Sequence, residues 1–121
     1  HRQSSAASDV YKRQAHLARN FEFFGAPSAF FCLIEKSMGP PQWSDLGMFL
    51  QTFMLLAQEA GIDTCAQEAW ATRPNAVTSF LQTPDSLMLF CGMAIGYRDP
   101  KAAVNTLVSD RMPLEAWATW A

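Results

Sequence analysis

The apolar stretch LMLFCGMAIGY, Leu87 to Tyr97, decides the fold class. A strand with one wet face alternates apolar and polar residues, so a run without alternation predicts a strand covered on both faces. Gly92 and Gly96 mark the two places where another part of the chain is expected to approach the strand backbone closely. The run falls short of the roughly 18 apolar residues that a membrane-spanning helix needs.

A second apolar run, Ala29 to Ile34, has the same character and predicts a second covered strand. A third strand is possible at Gly61 to Thr64. Helical patterns alternate with these strands, and such alternation implies helices on both faces of a sheet. We therefore predict an α+β fold whose sheet is thin for so much apolar sequence, as in a part of a larger fold.

The long helix is predicted to begin at an N-cap, Ser44, and to end at Gly61. Met48 and Leu55 lie seven residues apart on its otherwise polar side. They are either two tolerated exposed hydrophobes or a surface buried against a partner, and we favour the partner. The opposite, apolar side of this helix comprises Leu46, Phe49, Leu50, Phe53, Met54, Ala57 and Ala60.

Three further segments flank these elements. A first helix is predicted to end at Gly25, a short one to begin at Pro74, and Arg98 to Ala121 to be mostly extended. Residues 1–14 are rich in Ser, Ala and Gln and contain no apolar signal core. We interpret them as a non-native scar or disordered arm before a domain over residues 15–121, with a native helix capped by Asp9 as the alternative.

Composition restricts the possible functions. A chain of 121 residues fits one domain, and its net charge of −2, with no basic block longer than Lys12-Arg13, argues against nucleic-acid binding. The three cysteines are odd in number and form no CxxC pair, so we expect core thiols in a reducing cytoplasm. The two histidines have no partner at ligand spacing, so we predict no metal site.

Known catalytic motifs are absent from the sequence, so a cofactor would have to supply any chemistry. Thr64 and Gln67 have the spacing of a capping box, which either marks an ordinary helix start or directs backbone N–H groups at a ligand. Arg111 lies in a charge-poor tail, where its guanidinium either binds a phosphate or pairs with Asp110.

Six short motifs in this order resemble the nitroreductase family from about residue 15 to the end of the chain. No single motif is diagnostic, but six in register make chance a poor explanation. They are Gly25-Ala26-Pro27, Trp43-Ser44-Asp45-Leu46-Gly47, Gln51 to Gly61, Thr64-Cys65-Ala66-Gln67-Glu68-Ala69, Ile95-Gly96-Tyr97, and Asn105 to Arg111-Met112-Pro113-Leu114.

The resemblance implies the C-terminal half of a three-layer α-β-α sandwich with an extended C-terminal tail. It implies FMN at the interface of an obligate homodimer, and hydride transfer from NADH or NADPH through the flavin to nitroaromatics, quinones or similar small molecules. In the family, the segment matching Ala66, Gln67, Glu68 and Ala69 passes beside the flavin ring, and late basic residues touch the FMN phosphate. The phosphate contacts carry over to Arg111 and, as a hydroxyl in place of a basic residue, to Ser109.

Two departures from the family accompany this resemblance. The family often has Gly where this chain has Ala69. Its N-terminal Arg/Ser-rich phosphate-binding segment has no counterpart here, so we expect an incomplete chain that is either the flavin-binding part of an enzyme or a non-catalytic dimerising fragment. In the family the tail reaches over the other subunit, and the surface at Met48 and Leu55 is a candidate to receive it.

Overall fold

A computed structural model of the chain describes the backbone of residues 2–120 and the side chains of residues 9–120. Its helices are α1 (Arg2–Ala18), α2 (Pro40–Glu59) and α3 (Pro74–Leu81), and its strands are β1 (Ser28–Glu35), β2 (Asp63–Gln67) and β3 (Leu87–Gly96). Short 3-10 helices span Arg19–Gly25, Glu68–Thr72, Ala103–Thr106 and Leu114–Ala116. Within residues 2–120, no helix combines the length and the apolar character needed to cross a membrane.

The three strands form one antiparallel sheet in the order β1-β3-β2. The central strand β3 is the apolar run on which the sequence argument rests, and the middle of it is buried, with Met93 at 0% exposure. The prediction of a strand covered on both faces is confirmed. The third strand, offered only as a possibility, is present and extends to Gln67.

Helix α2 covers one face of the sheet. Leu50 of α2 packs with Cys32 of β1 and with Cys91 and Met93 of β3 in one buried cluster. Cys32 and Cys91 are paired across the strands, and alternate residues of a strand point to the same face, so this cluster lies on a single side of the sheet. The partly buried residues around it are Phe30, Leu46, Phe53, Met54, Phe90 and Ile95.

Both glycines of β3 lie under another part of the chain, as predicted. A Cβ at Gly92 would stand 2.4 Å from Cδ1 of Trp70, and a Cβ at Gly96 would stand 2.8 Å from Cδ of Pro27. These are distances that real Cβ atoms do not adopt. The face of the sheet at Gly92 is therefore covered by the 3-10 helix that contains Trp70.

Two predicted helix boundaries are wrong. Helix α2 begins four residues before Ser44, with Gly39 as its N-cap and prolines in its first turn, where the missing N–H groups of proline cost nothing. The first helix gives way to a 3-10 helix after Ala18, before it reaches Gly25. Gly25, the last residue of the 3-10 helix, and Gly61, two residues after α2, do adopt left-handed φ values of 79° and 75°.

Residues 2–14 belong to helix α1, so this segment is helical as in the alternative offered from the sequence, but the predicted cap is wrong: the helix begins at Arg2 and Asp9 lies inside it. His1 lies outside the described residues. The interpretation of this segment as a non-native scar stays a prediction, as does the domain boundary near residue 15.

Two predictions about burial need correction. Cys32 and Cys91 are core thiols, but Cys65 is exposed: it lies opposite Ala94, on the other face of the sheet from the buried cluster around Met93. Phe49, assigned to the inner side of α2, is 57% exposed. It lines an open groove with Ile34 and Leu87, where the pairing of β1 with β3 ends.

Arg98 fixes the chain where it leaves β3, through hydrogen bonds to Asp63 and Gln58. Its backbone N–H donates to Oδ2 of Asp63 over 2.9 Å, its Nε donates to Oδ1 of Asp63 over 2.7 Å, and its Nη2 donates to Oε1 of Gln58 over 3.0 Å. These bonds join α2, β2 and the start of the C-terminal tail, which we define as residues 98–120. The hydrogen bonds from Arg98 lower the pKa of Asp63 below its usual value.

This ion pair predicts an acid-sensitive contribution to stability. Because the pKa of Asp63 is lower in the folded chain than in the unfolded chain, the stabilisation is complete above the unfolded value of about 3.9 and is lost as pH falls through the folded value. Asp63→Asn should lower the urea midpoint at neutral pH and leave it unchanged in strong acid. Asp45→Asn, an exposed carboxylate on α2, is the control and should match the original chain at both pH values.

Candidate functional site

The predicted capping box at Thr64–Gln67 is not a helix start. Asp63–Gln67 pair with β3, from Asp63 opposite Gly96 to Gln67 opposite Gly92, so hydrogen bonds of the sheet take the place of a helical cap. The 3-10 helix begins one residue later, and Gln67 makes no side-chain cap to it. The candidate segment Ala66–Ala69 is therefore the end of an edge strand and the turn that follows it.

The buried side chain of Gln67 anchors this segment to the 3-10 helix Arg19–Gly25. It is 2% exposed, and its Nε2 donates to the carbonyl oxygen of Asn20 over 3.0 Å and approaches Oδ1 of Asn20 at 3.4 Å. Its Oε1 is buried and has no hydrogen-bond partner within the described part of the chain. Ala66 and Glu68 on either side of it are exposed, so the segment presents one edge outward while Gln67 holds it to the 3-10 helix Arg19–Gly25.

Trp70 anchors the other end. Its ring stacks on Phe23 at 4.8 Å and meets Phe21 and Phe31 edge-on at 5.2 Å and 4.9 Å between ring centroids. We call these four residues the Trp70 cluster. Stacked and edge-on aromatic pairs contribute about 0.5–1.5 kcal/mol each beyond the area that they bury. Because the cluster packs onto Gly92, the turn after Ala69 is fixed against the centre of the sheet.

Phe23 of the Trp70 cluster and its neighbour Phe24 adopt an uncommon backbone conformation. Phe23 and Phe24 have left-handed φ values of 50° and 53° inside the 3-10 helix Arg19–Gly25. That conformation costs a residue with a Cβ about 1–2 kcal/mol. Contacts of Phe23 with Trp70 and Phe31 offset this cost, so the bend of the 3-10 helix depends on tertiary packing.

Replacing Gly92 tests this arrangement. Gly92→Ala should destabilise the chain by about 1–3 kcal/mol, because its new methyl group would displace the Trp70 ring from the sheet. Gly47→Ala is the matched control: nothing lies within 4 Å of its Cβ position, and alanine is preferred to glycine in a helix by about 1 kcal/mol. Urea unfolding should therefore shift in opposite directions for the two variants. Equal shifts would contradict the close contact between Trp70 and Gly92.

The remaining two predicted site residues lie together in the tail. Nη1 of Arg111 donates to Oγ of Ser109 over 2.6 Å and to the carbonyl oxygens of Ser109 and Asp110 over 3.0 Å and 3.2 Å. All hydrogen bonds of Arg111 within residues 2–120 run through Nη1, and none reaches the carboxylate of Asp110. The guanidinium therefore keeps Nε and Nη2 for another acceptor.

No hydrogen bond or ion pair within the described chain joins Ser109 and Arg111 to the segment Ala66–Ala69. A groove of about 380 Å³ lies elsewhere, between α2 and the Arg98–Asp63 pair, and none of the six predicted site residues lines it. Among residues 2–120, no group of three His, Cys, Asp or Glu residues is placed to hold a metal ion. The candidate site is thus an anchored edge and a separate guanidinium in the tail rather than a closed pocket.

Sequence reasoning missed the residues that support the site. Asn20 lies 47 residues before Gln67, and Trp70 lies 39 residues or more after the three Phe residues of its cluster. In the sequence, only Gly92 pointed to this packing. It predicted that another part of the chain approaches the backbone of β3 closely, but it did not identify Trp70 as that part. Local spacing carries no information about such distant pairs.

Comparison with known proteins identifies the wider context. The chain is 43% identical over 96 residues to the 4-nitrobenzoate reductase of Pseudomonas putida, a match that covers 79% of this chain and 41% of that protein. It is 33% identical over 113 residues to the chloronitrobenzene nitroreductase of Comamonas testosteroni, covering 93% of this chain and 50% of that protein. The chain therefore spans about half the length, or less, of these curated relatives.

Solved structures show the same fold. The FMN and NADPH-dependent nitroreductase NfnB from Sphigopyxis sp. strain HMH superposes with a TM-score of 0.87 at 40% identity, over 92% of this chain and 50% of that one. The FMN-dependent NfnB from Mycobacterium smegmatis superposes with a TM-score of 0.85 at 24% identity, over 99% of this chain and 59% of that one, a likeness of fold alone. The predicted α+β class, as part of a larger sandwich, is confirmed.

The family model described as the nitroreductase family matches residues 2–97, which include the whole sheet, α2 and the segment Ala66–Ala69 with both of its anchors. Since that match covers most of the chain and agrees with the superposed fold, the chain belongs to the nitroreductase family.

Proposed function

We propose that the chain is part of an FMN-dependent oxidoreductase that transfers hydride from NADH or NADPH to a nitroaromatic, quinone or similar small-molecule acceptor. Family membership supports the class of reaction, and the superposed NfnB that is 40% identical to this chain is an FMN and NADPH-dependent nitroreductase. The observation that carries the proposal is the segment Ala66–Ala69, held at Gln67 and at Trp70 with its outer edge exposed. When bound, FMN would supply the hydride chemistry that no side chain here provides.

The residues present fit a flavin ring at this edge. Ala66 and Ala69 are small, so a planar ring can approach their backbone, and the exposed Glu68 adds an acceptor next to them. The buried Oε1 of Gln67 is an unused acceptor in the same segment. We propose that Ala66, Gln67, Glu68 and Ala69 contact and orient the flavin. Because the segment is anchored at both ends, it loses less conformational entropy on binding than a mobile loop would.

The FMN phosphate is assigned to the tail. Arg111 has Nε and Nη2 available among its described contacts, and the hydroxyl of Ser109 lies within hydrogen-bond distance of the same guanidinium. A guanidinium presents two parallel donors to a phosphate, and such charge-assisted bonds are the stronger kind. We propose that Arg111 binds the phosphate and that Ser109 assists it.

The same proposal includes a homodimer. Met48 and Leu55 of α2 are 62% and 61% exposed, and Phe49 and Leu56 form a parallel exposed row at 57% and 60%. Apolar rows on the otherwise polar, outward side of a helix are typical of a surface that is buried against a partner. We propose that these two rows, which we call the outer ridges of α2, pack against a second copy and receive its tail.

A second candidate is a dimerising fragment that holds no flavin. The outer ridges and the exposed apolar residues of the tail support association without any cofactor. The sequence resemblance places the family's N-terminal phosphate-binding segment outside these 121 residues, which favours this candidate for the isolated chain. The enzyme remains the proposal for a chain that includes that segment, and we propose that it acts in the cytoplasm.

Absorption spectroscopy separates the two candidates. A chain extended by its upstream coding sequence should purify yellow, with a flavin band that NADPH or NADH bleaches without oxygen and a nitroaromatic compound restores. Glu68→Ala should change the rate of bleaching more than Glu115→Ala, an exposed carboxylate in the tail. A colourless extended chain that cannot be loaded with FMN would contradict the enzyme and leave the dimerising fragment.

A further inference from the structure

Two of the three cysteines face each other across the sheet. Cys32 of β1 and Cys91 of β3 are directly opposite in the antiparallel register, so their side chains leave the sheet on the same face. Directly opposed residues in an antiparallel pair have Cα atoms about 4.5–5.5 Å apart, within the range of about 4.4–6.8 Å that a disulfide spans. Both residues are free thiols.

Burial protects the two thiols in the folded chain, but the edge strand that carries Cys32 can open locally. Cys32 is 7% and Cys91 is 2% exposed beneath Leu50 of α2. Burial, with the adjacent Cys32 thiol and the carboxylate of Glu68, raises the pKa of Cys91 to about 12, so the reactive thiolate is scarce in the closed fold. However, β1 is an edge strand, and its register with β3 shifts between Cys32 and Leu33, so the ladder is interrupted beside the thiol.

The third cysteine provides an internal comparison. Cys65 of β2 is exposed and lies opposite Ala94 of β3. The side chain of Ala94 points to the opposite face of the sheet from those of Met93 and Cys91. Cys65 therefore has no opposed thiol in the folded chain. In an unfolded chain, Cys91 would pair with Cys65 in preference to Cys32. Closing a loop across the 26 residues that separate Cys65 from Cys91 costs less entropy than closing one across the 59 residues that separate Cys32 from Cys91.

We propose that Cys32 and Cys91 form a site of reversible oxidative modification, an intramolecular cross-strand disulfide made by exchange with a low-molecular-weight disulfide. One thiolate attacks the reagent and displaces one thiol, and the second attacks the resulting mixed disulfide and displaces the other. The bond between the two Sγ atoms forms as the S–S bond of the reagent breaks. Two electrons and two protons pass from the protein thiols to the reagent, which leaves as two thiols. The product ties the edge strand β1 covalently to β3.

The test uses the original chain and oxidised glutathione under native conditions. After blocking of the remaining thiols, unfolding and digestion, mass spectrometry should show the Cys32–Cys91 link with Cys65 blocked or carrying glutathione. Dithiothreitol should reverse the link, and the oxidised chain should unfold at a higher urea concentration. Links from Cys65 to either other cysteine, or a Cys32–Cys91 link that forms only at unfolding urea concentrations, would overturn the proposal.

Two variants sharpen the result. Cys65→Ser should still lose the mass of two hydrogens on oxidation, because its two remaining thiols are the opposed pair. Adding Cys91→Ala to that variant should stop the reaction at a single glutathione adduct or prevent it. If the double variant does not fold, the cysteine links found by mass spectrometry in the oxidised original chain are sufficient to test the proposal. A stable glutathione adduct on both Cys32 and Cys91 of Cys65→Ser, with no link between them, would also overturn the proposal.

Discussion

Residues 1–121 alone are expected to bind FMN weakly or not at all, and at least about a hundredfold more weakly than a chain extended by its upstream coding sequence. The phosphate partners in this chain are Arg111 and Ser109. Charge-assisted hydrogen bonds contribute about 1.5–3 kcal/mol each, and every 1.4 kcal/mol is about a tenfold change in affinity, so the loss of two such contacts accounts for this factor. Quenching of FMN fluorescence on titration measures the affinity.

The role of Arg111 can be separated from general charge. In the extended chain, Arg111→Ala should weaken FMN binding by about tenfold to a hundredfold. Lys101→Ala removes an exposed cation from the same tail and should have little effect, which makes it the control. Sub-micromolar binding of FMN by residues 1–121 would contradict the expected weakness of the isolated chain. Equal losses from the two substitutions would contradict the assignment of the phosphate to Arg111.

The chain is also expected not to be a stable monomer, and deletion of residues 105–121 should lower its solubility or abolish its association. Trp117 and Trp120 are 67% and 86% exposed, and the rings of such residues bury about 150–250 Å² each when they are covered. The outer ridges of α2 offer an apolar surface of the same kind. Exposed apolar surfaces of this extent on two elements are typical of an interface.

Light scattering coupled to gel filtration measures the mass. The double variant Met48→Gln and Leu55→Gln should shift the chain towards its monomer mass of 13.5 kDa. Phe80→Gln on α3, which replaces a still more exposed apolar side chain (81%) outside the proposed interface, is the control and should leave the mass unchanged. A monodisperse monomer whose mass and stability do not change on deletion of the tail would rule out the docked tail.

The two halves of the candidate site differ in how far the sequence predicted them. Resemblance to the family selected the segment Ala66–Ala69, whereas spacing alone predicted a helix start at Thr64–Gln67 that does not exist. Thr and Gln occur both at helix starts and in strands, and the pairing of β2 with Gly92 to Gly96 selected the strand. The bond between Gln67 and Asn20 and the Trp70 cluster join residues far apart in the chain, which periodicity cannot detect.

The two long strands, the long helix and the close approaches at Gly92 and Gly96 could all be predicted from the amino-acid sequence. Each follows from a local property: an unbroken apolar run, an apolar stripe at helical spacing, or the absence of a side chain. The exposure of Cys65, the pairing of Cys32 with Cys91, and the left-handed φ values of Phe23 and Phe24 became visible in the folded chain. Strand register and packing between distant segments set these outcomes, because they depend on which residues meet across the sheet rather than on which residues are neighbours in the chain.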